Sequence, residues 1–167
     1  GNAGAYLLSE YIHGVDLDDW LLRPGGLVSR ARTLKLLVQL SAALDHLHAQ
    51  GIVHGDLKPA NVMVDSNAGD RVTLIDFGLA FDSSRSAVRH AGVGTPGYMA
   101  PEQLCGGCCG TAIDRYALGA VGFELLTGRP LQPEAPSWYP GQSAPVFTMR
   151  SLERSLGSPV RQGSRSS

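Results

Sequence analysis

Nothing in this sequence approaches the roughly 20 uninterrupted apolar residues that a membrane-spanning helix requires. Its longest apolar stretches, such as Leu34 to Leu47, are interrupted by Lys35, Gln39 and Asp45. An excess of one charge is missing as well. With 14 Lys and Arg against 15 Asp and Glu, the formal net charge is -1, which supplies no basic field for sequence-independent nucleic-acid binding. Cysteine is scarce: Cys105, Cys108 and Cys109 crowd one Gly-rich stretch. An odd, adjacent set makes a poor disulfide framework and fits a reducing cytoplasm. It also lacks the second ligand pair of a tetrahedral zinc site, so a loop of small residues is expected there.

What is present suits a single domain with a real core. Hydrophobic residues make up 43% of the 167 positions and charged ones 17%, a globular balance that excludes disorder across most of the chain. The opening Gly1-Asn2-Ala3-Gly4-Ala5 has neither an initiating Met nor the charged-then-apolar layout of a signal peptide. The chain is therefore expected to be a piece of a longer soluble protein.

Ala5 to Ile12 reads as a short strand stopped by Gly14, with a brief helical turn over Asp16 to Leu22 and a break at Arg23-Pro24-Gly25-Gly26. Ser29 is placed to cap a long helix whose apolar residues Leu34, Leu37, Leu44 and Leu47 recur at helical spacing, and Gly51 supplies its stop. Ile52-Val53, Val62 to Val64 and Val72 to Ile75 suit small strands, with a hairpin turn at Gly69-Asp70. Phe81 to Gly97 lacks periodicity and predicts a long surface loop. Asp114 to Thr127 predicts a second core helix, carried by Tyr116, Leu118, Val121, Leu125 and Leu126 and ended by Gly128. Residues 132–167, dense in Pro, Ser, Gly and Arg, read as a weakly structured tail. Apolar surface left on Leu8, Leu34 or Leu125 is expected to make the chain prone to associate.

Phosphoryl transfer needs a carboxylate to orient the attacking hydroxyl, a cation at the transferred group, and oxygen ligands for magnesium. Asp56, Lys58, Asn61 and Asp76 are those four chemical types. The first three share one loop between short apolar runs. Asp76 ends the next apolar run and is followed by Phe77-Gly78, where a flexible glycine lets the backbone turn sharply.

His54-Gly55-Asp56-Leu57-Lys58-Pro59-Ala60-Asn61 resembles the catalytic loop of protein kinases, and Asp76-Phe77-Gly78 resembles their magnesium-binding triplet. Gly94-Thr95-Pro96-Gly97-Tyr98-Met99-Ala100-Pro101-Glu102 resembles the end of their activation segment. Three motifs in the family's order are far more specific than one. The resemblance is to the eukaryotic-like serine/threonine protein kinases and covers about residues 5 to 131.

That resemblance implies an α+β kinase-like fold, a mainly helical large lobe with short β-hairpins, incomplete, over residues 1–131. It implies ATP and Mg2+ as cofactors and a protein Ser or Thr hydroxyl as acceptor. Asp56 is implied as the hydroxyl-orienting base, Lys58 as a contact to the transferred phosphate, and Asn61 and Asp76 as metal ligands. Glu10 and Ile12 stand where a hinge backbone binds the adenine edge, and Met63 where a side chain lies beneath the ring. Thr95 is implied as the substrate-pocket residue that hydrogen-bonds Asp56. His54 is implied to pack against Phe77, Glu102 to await an Arg partner, and Asp114 to brace the catalytic loop.

The departures matter too. Gly55 stands where the commoner loop has Arg, the residue that pairs with an activation-segment phosphate, so that clamp is not expected; Ser83, Ser84, Ser86 and Thr95 remain candidate phosphosites. No Gly-rich phosphate loop, Val-Ala-Ile-Lys-type strand or partner Glu helix precedes Glu10, so the chain alone is expected to be inactive or nearly so. Two alternatives stand beside the kinase reading. One is a truncated kinase-like scaffold. The other is an aminoglycoside- or choline-type phosphotransferase, whose loop also begins His-Gly-Asp but has His where Lys58 stands.

Overall fold

The computed structural model describes residues 8–23, 28–84, 93–104 and 109–131. Ala5-Tyr6-Leu7 of the expected first strand, the Gly25-Gly26 break, residues 85–92 of the long loop with Ser86, the pair Cys105 and Cys108, and the tail 132–167 lie outside them.

Two helices form the frame. Helix α2, Arg30–Ala49, starts where the Ser29 hydroxyl accepts the Arg32 N–H at 3.3 Å, which satisfies one of the donors a helix start leaves unpaired. It closes at Gly51, whose φ of 75° only glycine adopts freely and whose N–H returns to the His48 carbonyl. Helix α4, Thr111–Thr127, begins a turn earlier than Asp114 and ends on left-handed Gly128. The two pack closely enough that a Cβ on Gly122 would come within 3.1 Å of Leu37.

The buried face of α2 is the stripe Thr33, Leu36, Leu40 and Leu44; of the expected stripe, Leu44 belongs to that face and Leu37 packs against the core, while Leu34 is 63% exposed. Both stripes carry leucines at helical spacing, and contact with α4 and the neighbouring hairpin selects one. Leu125, expected at the surface, is fully buried with Ala117 and Val121 in the main core.

Helix α1, Leu17–Leu21, is capped by the Asp16 carboxylate, which accepts the Asp19 N–H at 2.8 Å. Strand β1, Val15–Asp16, pairs antiparallel with β3, Val62–Asp65, and β3 pairs antiparallel with β4, Arg71–Leu74. The strand expected over Ala5 to Ile12 does not form in its described part: residues 8–12 have no strand partner, and Leu8 is 97% exposed. Pairing begins after Gly14 (φ 128°), where any Cβ would overlap the Val64 carbonyl.

The β3–β4 turn runs through Ser66–Ala68 into left-handed Gly69 and Asp70. Helix α2 grips it from the side. Arg32 forks onto Asp70 at 3.0 and 2.6 Å while lying 4.1 Å over the Trp20 ring. Lys35 donates to the Gly69 carbonyl at 2.7 Å. The Gln39 amide bonds both the Asp70 carbonyl and the Val72 N–H. The Arg32 hydrogen bond, assisted by Lys35, holds the Asp70 carboxyl below the usual range against a smaller opposing effect of burial.

A second small sheet joins β2, Ile52–Val53, to β5, Phe81–Asp82, so the expected long loop starts as a strand. A short helix α3, Pro101–Leu104, was not legible in the sequence. Val53, Phe81, Ala100 and Ile113 share the smaller core cluster on this side.

Candidate active site

The loop that leaves β2 is anchored by what it buries. Val53 and His54 are fully buried, Leu57 is 1% exposed in the main core, and Pro59 is buried at the start of the turn Pro59–Asn61. Burying one leucine is worth roughly 1.5–3 kcal/mol. With Leu57 and Pro59 drawn inward, Asp56 and Lys58 are left at the partly open side of the loop.

Asp114 holds that loop from 60 residues away. It lies in the first turn of α4, where the helix dipole favours a carboxylate. Its Oδ1 accepts the Gly55 N–H at 2.9 Å, and its Oδ2 accepts the His54 N–H at 2.9 Å and His48 Nε2 at 2.8 Å. His54 Nδ1 accepts the Asp56 N–H at 3.4 Å and its Nε2 faces the Ile75 carbonyl at 3.3 Å. Those partners assign the Nε2–H tautomer. The ring lies 5.2 Å from that of Phe77, tilted by 55°.

Around Asp56 the polar groups form a closed knot. Thr95 donates to Oδ1 through its N–H at 2.9 Å and its hydroxyl at 2.8 Å. Lys58 Nζ donates to Asp56 Oδ2 and to Thr95 Oγ1, both at 2.8 Å. Asn61 Nδ2 reaches the Asp56 carbonyl at 2.8 Å and Oδ2 at 3.4 Å. Three residues from two distant segments thus hold the Asp56 carboxylate in one orientation.

Asp76 joins through the backbone: the preceding residue, Ile75, donates its N–H to the Asn61 carbonyl at 3.0 Å. Its φ of 61° is left-handed, a conformation costing an L-residue roughly 1–2 kcal/mol, and its Oδ1 accepts the Gly78 N–H at 3.1 Å. The exposed Asp76 carboxylate makes no side-chain bond to Asp56 or Asn61 among the described residues. The donor set fits magnesium: the Asn61 amide nitrogen is committed to Asp56, leaving its oxygen, and Asp76 adds a carboxylate, both hard oxygen ligands.

The other implied residues stand further out. Met63 sits in β3 on the side away from Val62 and Val64, which are buried. Glu10 is exposed and Ile12 half-buried, in chain without strand pairing. Glu102 does not join the knot; its charge raises the nearby Tyr116 phenol, where burial is the larger cause.

Three contributors escaped the sequence. His48 continues the buried α2 stripe 36, 40, 44, whose burial is set by packing and not by spacing; its Nδ1 is buried without a partner among the described residues. Tyr98 donates its hydroxyl to Glu124 at 2.6 Å. Burial drives the Tyr98 phenol far above its ordinary value, helped by that bond, and burial also raises the Glu124 carboxyl, with the Tyr98 bond opposing and Asp18 adding. Gln103, in α3, left no local sign at all.

A family model described as the protein kinase domain matches residues 2–144. The chain belongs to that family. Its α+β architecture of short antiparallel strands and helices is that of a partial protein kinase domain. Serine/threonine-protein kinase Pkn1 of Myxococcus xanthus is 40% identical over 129 residues, 74% of this chain and 18% of that protein. PrkC of Bacillus subtilis is 38% identical over 126 residues, 74% of this chain and 19% of its own length. PknB of Mycobacterium tuberculosis is 38% identical over 129 residues, 75% of this chain and 20% of its own. The chain thus spans about a fifth of the length of these curated relatives. Among the described residues no helix is long and apolar enough to cross a membrane.

Proposed function

We propose that this chain carries the catalytic large-lobe portion of a serine/threonine protein kinase and that the knot at Asp56 is its phosphoryl-transfer site. The observation that carries the reading is the Asp56 carboxylate held between Thr95, Lys58 and Asn61 on a loop whose Leu57 is buried in the core. A carboxylate so constrained suits the orientation of an acceptor hydroxyl for in-line attack.

In this reading Asp56 orients the Ser or Thr hydroxyl and accepts its proton. Lys58, one quarter exposed and already at the Asp56 carboxylate, is placed to meet the transferred phosphate. The Asn61 amide oxygen and the Asp76 carboxylate would hold magnesium, which would supply neutralisation of the phosphate charge. The backbone at Glu10 and Ile12 and the side chain of Met63 would hold the adenine of ATP. Thr95 shapes the acceptor pocket, and Lys58 at its offset from Asp56 supports Ser or Thr over Tyr. The cysteine usage supports a cytoplasmic setting for this chemistry.

The test is magnesium-dependent transfer from labelled ATP to Ser-, Thr- and Tyr-containing peptides and to an aminoglycoside, using the full-length protein that contains this chain. Asp56→Asn should lower kcat by about 10²–10⁴-fold with ATP affinity nearly unchanged. Undiminished transfer by Asp56→Asn overturns the assignment, and transfer confined to the aminoglycoside overturns the substrate class. The 167-residue chain alone, without a Gly-rich loop or strand Lys, should be nearly silent.

A further inference from the structure

Gln103 is 3% exposed and lines one small cavity together with Gly55, Asp56 and Thr95. Its Oε1 accepts the Ala100 N–H at 2.9 Å and its Nε2 donates to the Gly55 carbonyl at 3.2 Å. An N–H can bond only the oxygen and a carbonyl only the nitrogen, so the two partners fix the amide's orientation. Gly55 is therefore held at both backbone groups by side chains from two helices, its N–H by Asp114 of α4 and its carbonyl by Gln103 of α3. Its φ of 81° is left-handed, and a Cβ there would stand 2.9 Å from the Leu79 carbonyl.

On the other side, the Gln103 amide nitrogen is 3.6 Å from the Cβ position of Gly94. Gly94, with φ of 142°, immediately precedes Thr95. One buried amide thus bonds the residue before Asp56 and stands where only a Cβ on the residue before Thr95 would reach it. Asp56 and Thr95 themselves close on each other, the Thr95 hydroxyl and N–H donating to Asp56 Oδ1 at 2.8 and 2.9 Å.

We infer that Gln103 is a positioning residue for the proposed transfer: its amide bolts the Gly94–Ala100 segment to the catalytic-loop backbone and so sets Asp56 against Thr95 without any phosphate. The inference rests on the phosphoryl-transfer reading for its consequence, but the brace itself is a structural statement that stands or falls separately.

The deciding variant is Gln103→Glu in the full-length protein. Ionised, its carboxylate turns an oxygen toward the Gly55 carbonyl and repels it. Protonated, it regains the donor, and burial favours that form. At about pH 8, kcat for a Ser/Thr peptide should fall at least about tenfold, the loss of one buried donor, and recover toward wild type at about pH 6. KM for MgATP should stay within about twofold of wild type. Gln103→Leu should be impaired at both pH values without recovery. A merely structural role would lower the folded fraction, read by thermal melting, with no pH-dependent rescue of kcat per folded molecule; that result overturns the inference.

Amide hydrogen exchange supplies a readout independent of catalysis. In Gln103→Glu at about pH 8, segments 54–58 and 94–100 should both exchange about tenfold faster than in the wild type. Acceleration in one segment only, or in neither, overturns the brace. If Gln103→Leu does not fold, the comparison of Gln103→Glu at the two pH values still decides. If the wild type transfers no phosphate at all, the proposed function fails while the exchange result still decides the brace.

Discussion

Asp114→Asn is the perturbation that tests the scaffold most directly. The native carboxylate is 1% exposed and accepts three donors, two on Oδ2 and one on Oδ1. An amide of the same shape offers one oxygen. In its better orientation that oxygen keeps the His54 N–H and His48 Nε2, but as neutral bonds, which are roughly half as strong as charge-assisted ones. The Gly55 N–H then meets an NH2 group and is left buried and unpaired, at about 1–3 kcal/mol. Together these losses come to about 3–5 kcal/mol, the range for breaking a buried charged pair, against a typical domain stability of about 5–15 kcal/mol. Urea unfolding of the full-length protein, followed by a probe specific to this domain, should show a midpoint drop of at least about 1 M for a typical slope. Amide exchange at His54 and Gly55 should accelerate with it. A loss below about 0.5 kcal/mol, the range of ordinary surface substitutions, would refute the claim that Asp114 holds the loop of residues 54–61.

Asp70→Asn removes one partner of the forked Arg32 pair and should cost roughly 1 kcal/mol by thermal melting, since Arg32 is partly exposed. Because the folded Asp70 pKa lies below its ordinary 3.8, its contribution is fully present above that value and is lost as pH falls through the folded pKa; Asp70→Asn should abolish that part of the acid sensitivity. Glu124 has the opposite sign. Its folded pKa is raised above 4.5 by burial, so the folded state binds more protons just above pH 4.5 and stability declines as pH rises through that window. Glu124→Gln keeps an acceptor for the Tyr98 hydroxyl and should flatten this slope in melts taken across the window. Tyr98→Phe leaves the buried Glu124 Oε2 without its donor and should cost about 1–3 kcal/mol; a neutral result would show that water replaces the phenol.

The candidate loop was legible because its chemistry is contiguous: Asp56, Lys58 and Asn61 lie within six residues, and the apolar Leu57 between them marks the side that turns inward. Helix ends were legible for a similar reason. Ser29, Gly51 and Gly128 act on the turn beside them, so their effect needs no knowledge of the rest of the fold. The first strand was misplaced because a strand exists only by pairing. Val15–Asp16 has no β-forming run of its own, and β3 makes it a strand, whereas residues 8–12 include Leu8, Tyr11 and Ile12 but have no strand partner among the described residues.

By itself, then, the sequence determined which chemical groups share the loop, where α2 begins and where both long helices stop, since these follow from bonds reaching no further than a few residues. Only the tertiary structure decided which leucine stripe of α2 is core, that Asp114 would collect His48, His54 and Gly55 across some 60 residues, and that Gln103 would reach Gly55. Those choices depend on which surfaces meet. The same leucine, glutamine or histidine is core, brace or solvent-facing according to a neighbour that no local pattern records.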